Sequence, residues 1–253
     1  MIRATGLSKS FADVNAVEGL DLHVPEGTWF LFVGHNGAGK TTTIKMLAGL
    51  LPPTTGRVLL AGLDPEKEPL RARQAMGYLP ERFEPYDYLT PREYLTFVCD
   101  VHQLDREIGR ARMESLLALF DLEKHASKIL RGFSQGMRKK VGLCAALIHD
   151  PPVLFLDEPT ATLDPPTSHL IRRVLRRLCT EGRKTVFMST HILGLAEREC
   201  DTIGVLHGGR MKLLTTPSEL AAKHPGKNLE EVVLELTGGL EDERLAKFFE
   251  TFR

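Results

Sequence analysis

The chain has no run of apolar residues approaching about 18 in length, so no segment is a candidate for crossing a bilayer as a helix. Any membrane role has to come through a partner. There is no excess of charge of either sign: 33 Lys and Arg stand against 33 Asp and Glu. That balance gives no electrostatic case for nucleic acid as a partner. Two local basic stretches, Arg138-Lys139-Lys140 and Arg172-Arg173 with Arg176-Arg177, fall in helical patterns and read as solvated faces. Cysteines are few. Cys99, Cys144, Cys179 and Cys200 show no paired spacing, which excludes a disulfide or zinc framework and predicts reduced thiols in a cytosolic protein. Met1 to Thr5 carry no secretory apolar region. Internal repeats and low-complexity linkers are also missing. What remains is 253 residues, enough for a sizeable core and one domain with subdomains.

Against these absences stands Gly34-His35-Asn36-Gly37-Ala38-Gly39-Lys40-Thr41, which fits the phosphate-binding loop G-x-x-x-x-G-K-[ST]. Trp29 to Val33 before it is a continuous apolar run, read as a buried strand. After it, Ile44, Leu47, Ala48 and Leu51 are spaced for one face of a helix that Pro52 and Pro53 stop. The chemistry accounts for the residue types. Glycines let the backbone N–H groups curl toward phosphate oxygens, and the positive end of the new helix adds to the same place. Lys40 reaches outer phosphates, and the Thr41 hydroxyl can ligate magnesium.

The rest of the chain predicts a parallel αβ core, antiparallel strands beside it and a helical insertion. Leu20, Leu22 and Val24 alternate with Asp21 and His23 as in a half-exposed antiparallel strand, and Gly56 to Leu60 reads as another strand. From Thr90 to about Ile148 the pattern is helical, with Thr90-Pro91-Arg92-Glu93 as a capped start. Val153 to Leu156 and Val186 to Met188 are short apolar runs of the buried parallel type, with a helix over Ser168 to Cys179 between them. Ile203 to Leu214 reads as a hairpin turning at Gly208-Gly209. From about Ser218 the tail is helical, with Leu229, Val232, Val233 and Leu236 on one face and Asn228 and Glu231 placed as a cap.

Asp157 and Glu158 follow a buried strand, where ligands bind in open αβ sheets. Beside a phosphate-binding loop, Asp157 is the expected magnesium partner. Glu158 then points toward the terminal phosphate, where it can orient or deprotonate a water.

The order and content of Leu130 to Pro165 resemble the ATP-binding cassette (ABC) family: Phe133-Ser134-Gln135-Gly136-Met137, then Asp157-Glu158-Pro159-Thr160, then Leu163-Asp164-Pro165. The family's signature L-S-G-G-Q keeps only Ser134 and Gly136 here, a hydroxyl donor and a glycine that permits close approach to phosphate. Ser134 also reads as a helix N-cap, and both readings can hold. The S-x-G-M form is similar to cassettes of exporters for drugs, lipids or polysaccharides. Met76 to Glu81 resembles the Q-loop, with Glu81 where the family has glutamine; its alternative is a solvated loop glutamate. Ser189-Thr190-His191 matches the switch histidine, and Ala161 to Asp164 matches the loop that lies between subunits. Phe11 matches the aromatic that stacks on adenine, with a core position as the alternative.

This resemblance spans residue 2 to about residue 216. It implies an α/β P-loop NTPase (RecA-like) core with a parallel sheet, an antiparallel β subdomain and an inserted α-helical subdomain. It implies a cassette over 1–216, with the insertion at about 83–150, and a helical tail over 217–253 that packs on its own or a partner subunit. By the same resemblance, ATP lies in the cradle of Gly34 to Thr42, with Phe11 on the base and Ser134 and Gly136 supplied by a second copy. Thr41, Asp157 and Glu81 hold magnesium, and Lys40, Glu158 and His191 are catalytic. The implied protein is an ATPase that dimerises head to tail, as homodimer or heterodimer. It drives a separate polytopic permease, that of an exporter, reached through the helical insertion near Glu81 to Asp100, from the cytoplasmic face of the inner membrane. A soluble ABC ATPase of ribosome or DNA-repair type is the alternative, but the two cassettes, zinc modules or long coiled coils of such chains are missing. A P-loop kinase or GTPase is more distant, since no N-K-x-D motif is found.

Overall fold

The computed structural model of the chain describes residues 1–192, 194 and 199–237. In chain order these form β1 (Ile2–Phe11), β2 (Val14–Val24), β3 (Trp29–Val33), α1 (Lys40–Leu47), β4 (Thr55–Leu60), α2 (Pro69–Gln74), β5 (Met76–Leu79), α3 (Pro91–Val101), α4 (Arg106–Leu119), α5 (Gln135–Leu147), β6 (Val153–Asp157), α6 (Pro165–Thr180), β7 (Thr185–Thr190), β8 (Thr202–His207), β9 (Arg210–Thr215), α7 (Pro217–Lys223) and α8 (Leu229–Thr237). A six-stranded sheet has the order β5-β6-β7-β3-β8-β9. Its strands pair in parallel except for β9, which returns antiparallel on β8. A second, antiparallel sheet has the order β2-β1-β4.

The continuous apolar runs of β3, β6 and β7 are buried on both sides of the larger sheet. Side chains alternate across a strand, so each run feeds two cores. Trp29, Leu31, Val33, Leu154, Leu156, Val186 and Met188 face one, where they meet Leu95, Leu117, Val141 and Ile171 of the helices. Phe30, Phe32, Val153, Phe155 and Phe187 face the other, closed by Ile44 and Leu47 of α1 and by Leu7, Leu20, Leu22 and Val58 of the smaller sheet. Phe30 and Phe187 stack there with ring centroids 4.9 Å apart.

Helices α3, α4 and α5 stand between β5 and β6 in the chain. The start of α3 is capped as its sequence predicts. Glu93 N–H donates to Thr90 Oγ1 at 3.2 Å, and Thr90 N–H donates to Glu93 Oε2 at 2.8 Å. Asp105 caps α4 by accepting from the amides of Glu107 and Ile108.

Several expectations are corrected. Helix α1 ends at Leu47 and not at Pro52, because Gly49 takes φ 65° and stops it in the left-handed region. The basic stretches are not uniformly solvated. Lys139 and Arg172 are buried, Arg172 lying 3.2 Å from Glu199, whereas Arg177 stays exposed beside Glu181. The described part of the tail forms two helices, α7 and α8. Leu220, Leu229 and Val232 join the helical core, Val233 packs against it and Leu236 is exposed. The Asn228–Glu231 cap forms through both of its hydrogen bonds. Residues 238–253 of the expected tail lie outside the described residues. Cys99, Cys144 and Cys179 are buried free thiols, and Cys200 is buried as well. Among the described residues, no helix is long and apolar enough to cross a membrane.

The stacked aromatics make the inter-sheet core sensitive to truncation. Phe187→Ala should cost about 3–5 kcal/mol of stability, the range for deleting a buried phenylalanine ring. Urea unfolding of the purified variant measures it, and a cost below about 1 kcal/mol would mean that this face of the sheet is not close-packed.

Candidate functional site

Between the buried end of β3 and α1, the chain has to reverse within six residues, 34–39, and glycine makes this possible. Gly37 takes φ 83° and Gly39 φ 105°. At Gly39 a Cβ would also stand 2.4 Å from the carbonyl oxygen of Ala16, so any other residue meets both strain and a clash. The hairpin turn after β8 braces the loop, Gly209 N–H donating to Ala38 O at 3.1 Å. Lys40 opens α1 with its ammonium folded over the loop, donating to Gly34 O at 2.6 Å and His35 O at 3.3 Å. The free amides of the first turn of α1 face the same space and favour an anion.

Strand β6 ends at Asp157, which is fully buried. Its Oδ2 accepts from the Thr41 hydroxyl at 2.6 Å and its Oδ1 from the Ser189 hydroxyl at 2.5 Å. Glu158 comes next at φ 50°, in the left-handed region that costs a non-glycine residue about 1–2 kcal/mol. Its backbone is held at both ends: its N–H donates to Ser189 Oγ at 3.0 Å, and its carbonyl accepts from Lys139 Nζ at 2.6 Å. Its carboxylate is buried, with Oε1 at 3.6 Å from Lys40 Nζ and Oε2 at 3.0 Å from His191 Nδ1. Neither carboxylate oxygen has an aligned hydrogen-bond donor, which leaves both open to a reacting partner.

Lys40, Thr41, Asp157 and Glu158 border a cavity of about 380 Å³ that is also lined by Ala16, the loop residues His35, Asn36, Gly37 and Gly39, Thr42 and Glu81, while His191 stands outside its lining. The loop, the acidic strand end and Glu81 therefore meet in one place, although they come from three distant parts of the sequence. Tyr78, on β5, is close enough to feel Asp157. Burial first, and the Asp157 charge second, push its phenol up to about 12, so it stays protonated at neutral pH. Ser134, Gly136 and Phe11 do not line this cavity. Ser134 caps α5, accepting from Met137 N–H at 3.2 Å, and Gly136 lies against Leu163. Phe11 is 46% exposed, so it is not a core aromatic; Lys9 Nζ lies 5.2 Å from its ring centroid.

Two residues that organise the site were given no role by the sequence. Ser189 ties Asp157 to the backbone of Glu158. Lys139 reads as surface because it sits in a basic run, but it shares helical phase with Leu143 and Ala146, both buried on α5. That spacing is the signal for its burial. Burial holds its ammonium below the ordinary lysine range, opposed by the carboxylates of Glu158, Glu81 and Asp157.

Comparison with known proteins agrees with this geometry. The protein family described as "ABC transporter" matches residues 17–161. The chain is 33% identical over 241 residues to "Probable multidrug ABC transporter ATP-binding protein YbhF" of Escherichia coli (strain K12), covering 93% of this chain and 41% of that protein. The chain thus spans about two fifths of that relative's length. A solved structure described as "Structure of ATP binding subunit of ABC transporter" aligns with a TM-score of 0.87 and 33% identity, covering 94% of this chain and 99% of that one. A second, "Dimeric structure of a post-hydrolysis state of the ATP-binding cassette MJ0796 bound to ADP and Pi", aligns with a TM-score of 0.78 and 25% identity over 86% of this chain and 99% of that one. A family match over more than half of the 253 residues, on a fold that gathers loop and acidic strand end at one cavity, means that the chain belongs to the ABC transporter family.

Proposed function

We propose that this chain binds and hydrolyses ATP and powers the membrane permease of an ABC exporter. One observation carries the reading: the Glu158 carboxylate sits between Lys40 and His191, beside the Thr41–Asp157 pair and over the phosphate-binding loop. The multidrug description of the E. coli relative supports export.

Thr41 and Asp157 offer hard oxygen donors 2.6 Å apart, and Glu81 adds a second carboxylate to this donor set in the same cavity. That donor set fits magnesium, which binds through one or two carboxylates and fills its shell with phosphate, hydroxyl and water oxygens. When bound, magnesium neutralises charge on the phosphates. The chain's own groups do the rest. The loop residues Gly34, His35, Asn36, Gly37, Ala38 and Gly39, with Thr42, cradle the phosphates, and Lys40 turns from the loop carbonyls to the outer phosphates. Glu158 accepts the proton of a water whose oxygen attacks the terminal phosphorus, the bond from that phosphorus to the bridging oxygen breaks, and ADP and phosphate leave. His191 orients the carboxylate and the terminal phosphate. Phe11, exposed at the end of β1, is free to stack on adenine.

The same reading assigns Ser134 and Gly136 to a second cassette. They lie outside the local cavity, which suits residues that act across a head-to-tail dimer, and the MJ0796 cassette is itself described as dimeric. In this reading the cassette spans 1–216 with its helical insertion at about 83–150, followed by a tail at 217–253. The permease engages the insertion near Glu81 to Asp100, which holds the chain at the cytoplasmic face of the inner membrane.

Three outcomes test this. Glu158→Gln keeps shape but cannot take the proton, so ATP binding should persist while phosphate release falls about 10²–10⁴-fold; near-normal release would remove Glu158 as the base. Lys40→Ala should weaken ATP binding about 10–100-fold, the worth of a hydrogen bond to a charged group, in a chain that still unfolds at the parent's temperature. Unchanged affinity in a titration with labelled ATP would contradict a nucleotide in this loop. Finally, Glu158→Gln should accumulate a dimer in ATP and magnesium, and adding Ser134→Arg should leave monomer on size exclusion. If the double variant dimerises as readily as its parent, Ser134 is a helix cap and no more, worth about 1 kcal/mol.

A further inference from the structure

Lys139 is a charged residue on the buried face of a helix, and nothing in the ATP chemistry above uses it. Only 5% of it is exposed. A long flexible ammonium normally reaches for water, and burying it carries a penalty that a well-placed partner has to offset. Here Nζ runs inward and donates to the carbonyl oxygen of Glu158 at 2.6 Å. That carbonyl belongs to a residue at φ 50°, and it also accepts from Ala161 N–H at 3.3 Å. The peptide on the other side is fixed by Ser189, through Glu158 N–H to Oγ at 3.0 Å. A non-glycine residue stays in the left-handed region only where its surroundings hold it. Lys139 is the one side chain bonded to the carbonyl end of Glu158 among the described contacts. Rotating this peptide back toward the ordinary region would swing the Glu158 carboxylate away from Lys40 and His191.

We propose that Lys139 is a positioning residue for Glu158: its buried ammonium clamps the carbonyl of the strained peptide and so sets the direction in which the carboxylate enters the loop cavity. The inference rests on the reading of Glu158 as the base. Lys139 stands five residues after Ser134, about one turn and a half along, so the helix whose N-cap is assigned to the other copy's nucleotide also holds the local base in place. A small shift of α5 reaches Glu158 through one side chain. The alternative is that Lys139 merely fills space, its methylenes packing and its ammonium satisfied wherever a carbonyl happens to lie. The two differ in which kinetic quantity moves.

The test uses the full chain with its permease, ATP as the probe, and Lys139→Met, which keeps the length and apolar stem but removes the clamp. Displacing a catalytic group by about 1 Å costs on the order of 10²-fold in rate, so kcat should fall at least about tenfold while KM for ATP stays within about twofold. Lys139→Arg, which keeps the charge and a donor, should recover part of the loss. In a Glu158→Gln background, Lys139→Met should change the residual rate less than about twofold, because the group it positions is already disabled. A wild-type kcat for Lys139→Met overturns the proposal. So does an equal loss in both backgrounds, which marks a space-filling role. If the methionine variant does not bind ATP, Lys139→Gln is measured in the same two backgrounds and read by the same criteria. Failure of the underlying reading looks different: Glu158→Gln would itself turn over ATP at the parental rate.

Discussion

A fully buried carboxylate at the end of a strand is the constraint on which this site depends. Ionised Asp157 would cost several kcal/mol to bury without compensation. Two hydroxyls supply it, Thr41 from α1 and Ser189 from β7. Ser189 can do so because β6 and β7 pair in parallel with Asp157 opposite Ser189. Thr41 can do so because β3 pairs on the other side of β7, with Val33 opposite Thr190, and delivers the loop and α1 to the same edge. Satisfying one carboxylate thus requires three strand ends to be level, and level strand ends place a phosphate-binding loop beside an acidic pair.

Glu158 is built on that arrangement, under opposite demands. Asp157 is closed off by hydrogen bonds, while the Glu158 carboxylate has none and is faced by Lys40 and His191. The difference lies in the backbone. Positive φ at Glu158 turns its side chain out of the strand and into the cavity. The neighbouring peptides are bonded to Ser189 and Lys139, so the strain is stored in a rigid frame. In the proposed reading, two adjacent acids would therefore take separate roles, one holding a cation and the other taking a proton.

In the proposed reading, the helical insertion would connect this frame to the rest of a transporter. Helix α5 packs on the core through Val141, Leu143 and Cys144, presents Ser134 at its first turn and sends Lys139 inward. An element tied to a base at one residue and assigned to a second copy at another is well placed to pass on the difference between open and closed arrangements. On the proposed head-to-tail dimer, ATP held between two such bodies would favour one arrangement over the other, and its hydrolysis would remove that preference.

What the sequence alone determined was local. A glycine-rich loop between an apolar run and a helix, an acidic pair after a second apolar run, and the caps at Thr90 and Asn228 are each written in a few adjacent residues, and each stands where it was read. The resemblance carried by Ser134, Gly136 and His191 extended that reading to residues whose own patterns are weak. Tertiary structure decided the rest. The order β5-β6-β7-β3-β8-β9 brings Glu81, Thr41 and Asp157 to one cavity, and no short window encodes strand order. It buried Lys139 and Arg172 within stretches that read as solvated, and it left Phe11 exposed although an aromatic in that region suits a core. Local pattern records which face of an element is apolar, whereas the partner of a charged group depends on which distant element packs against that face.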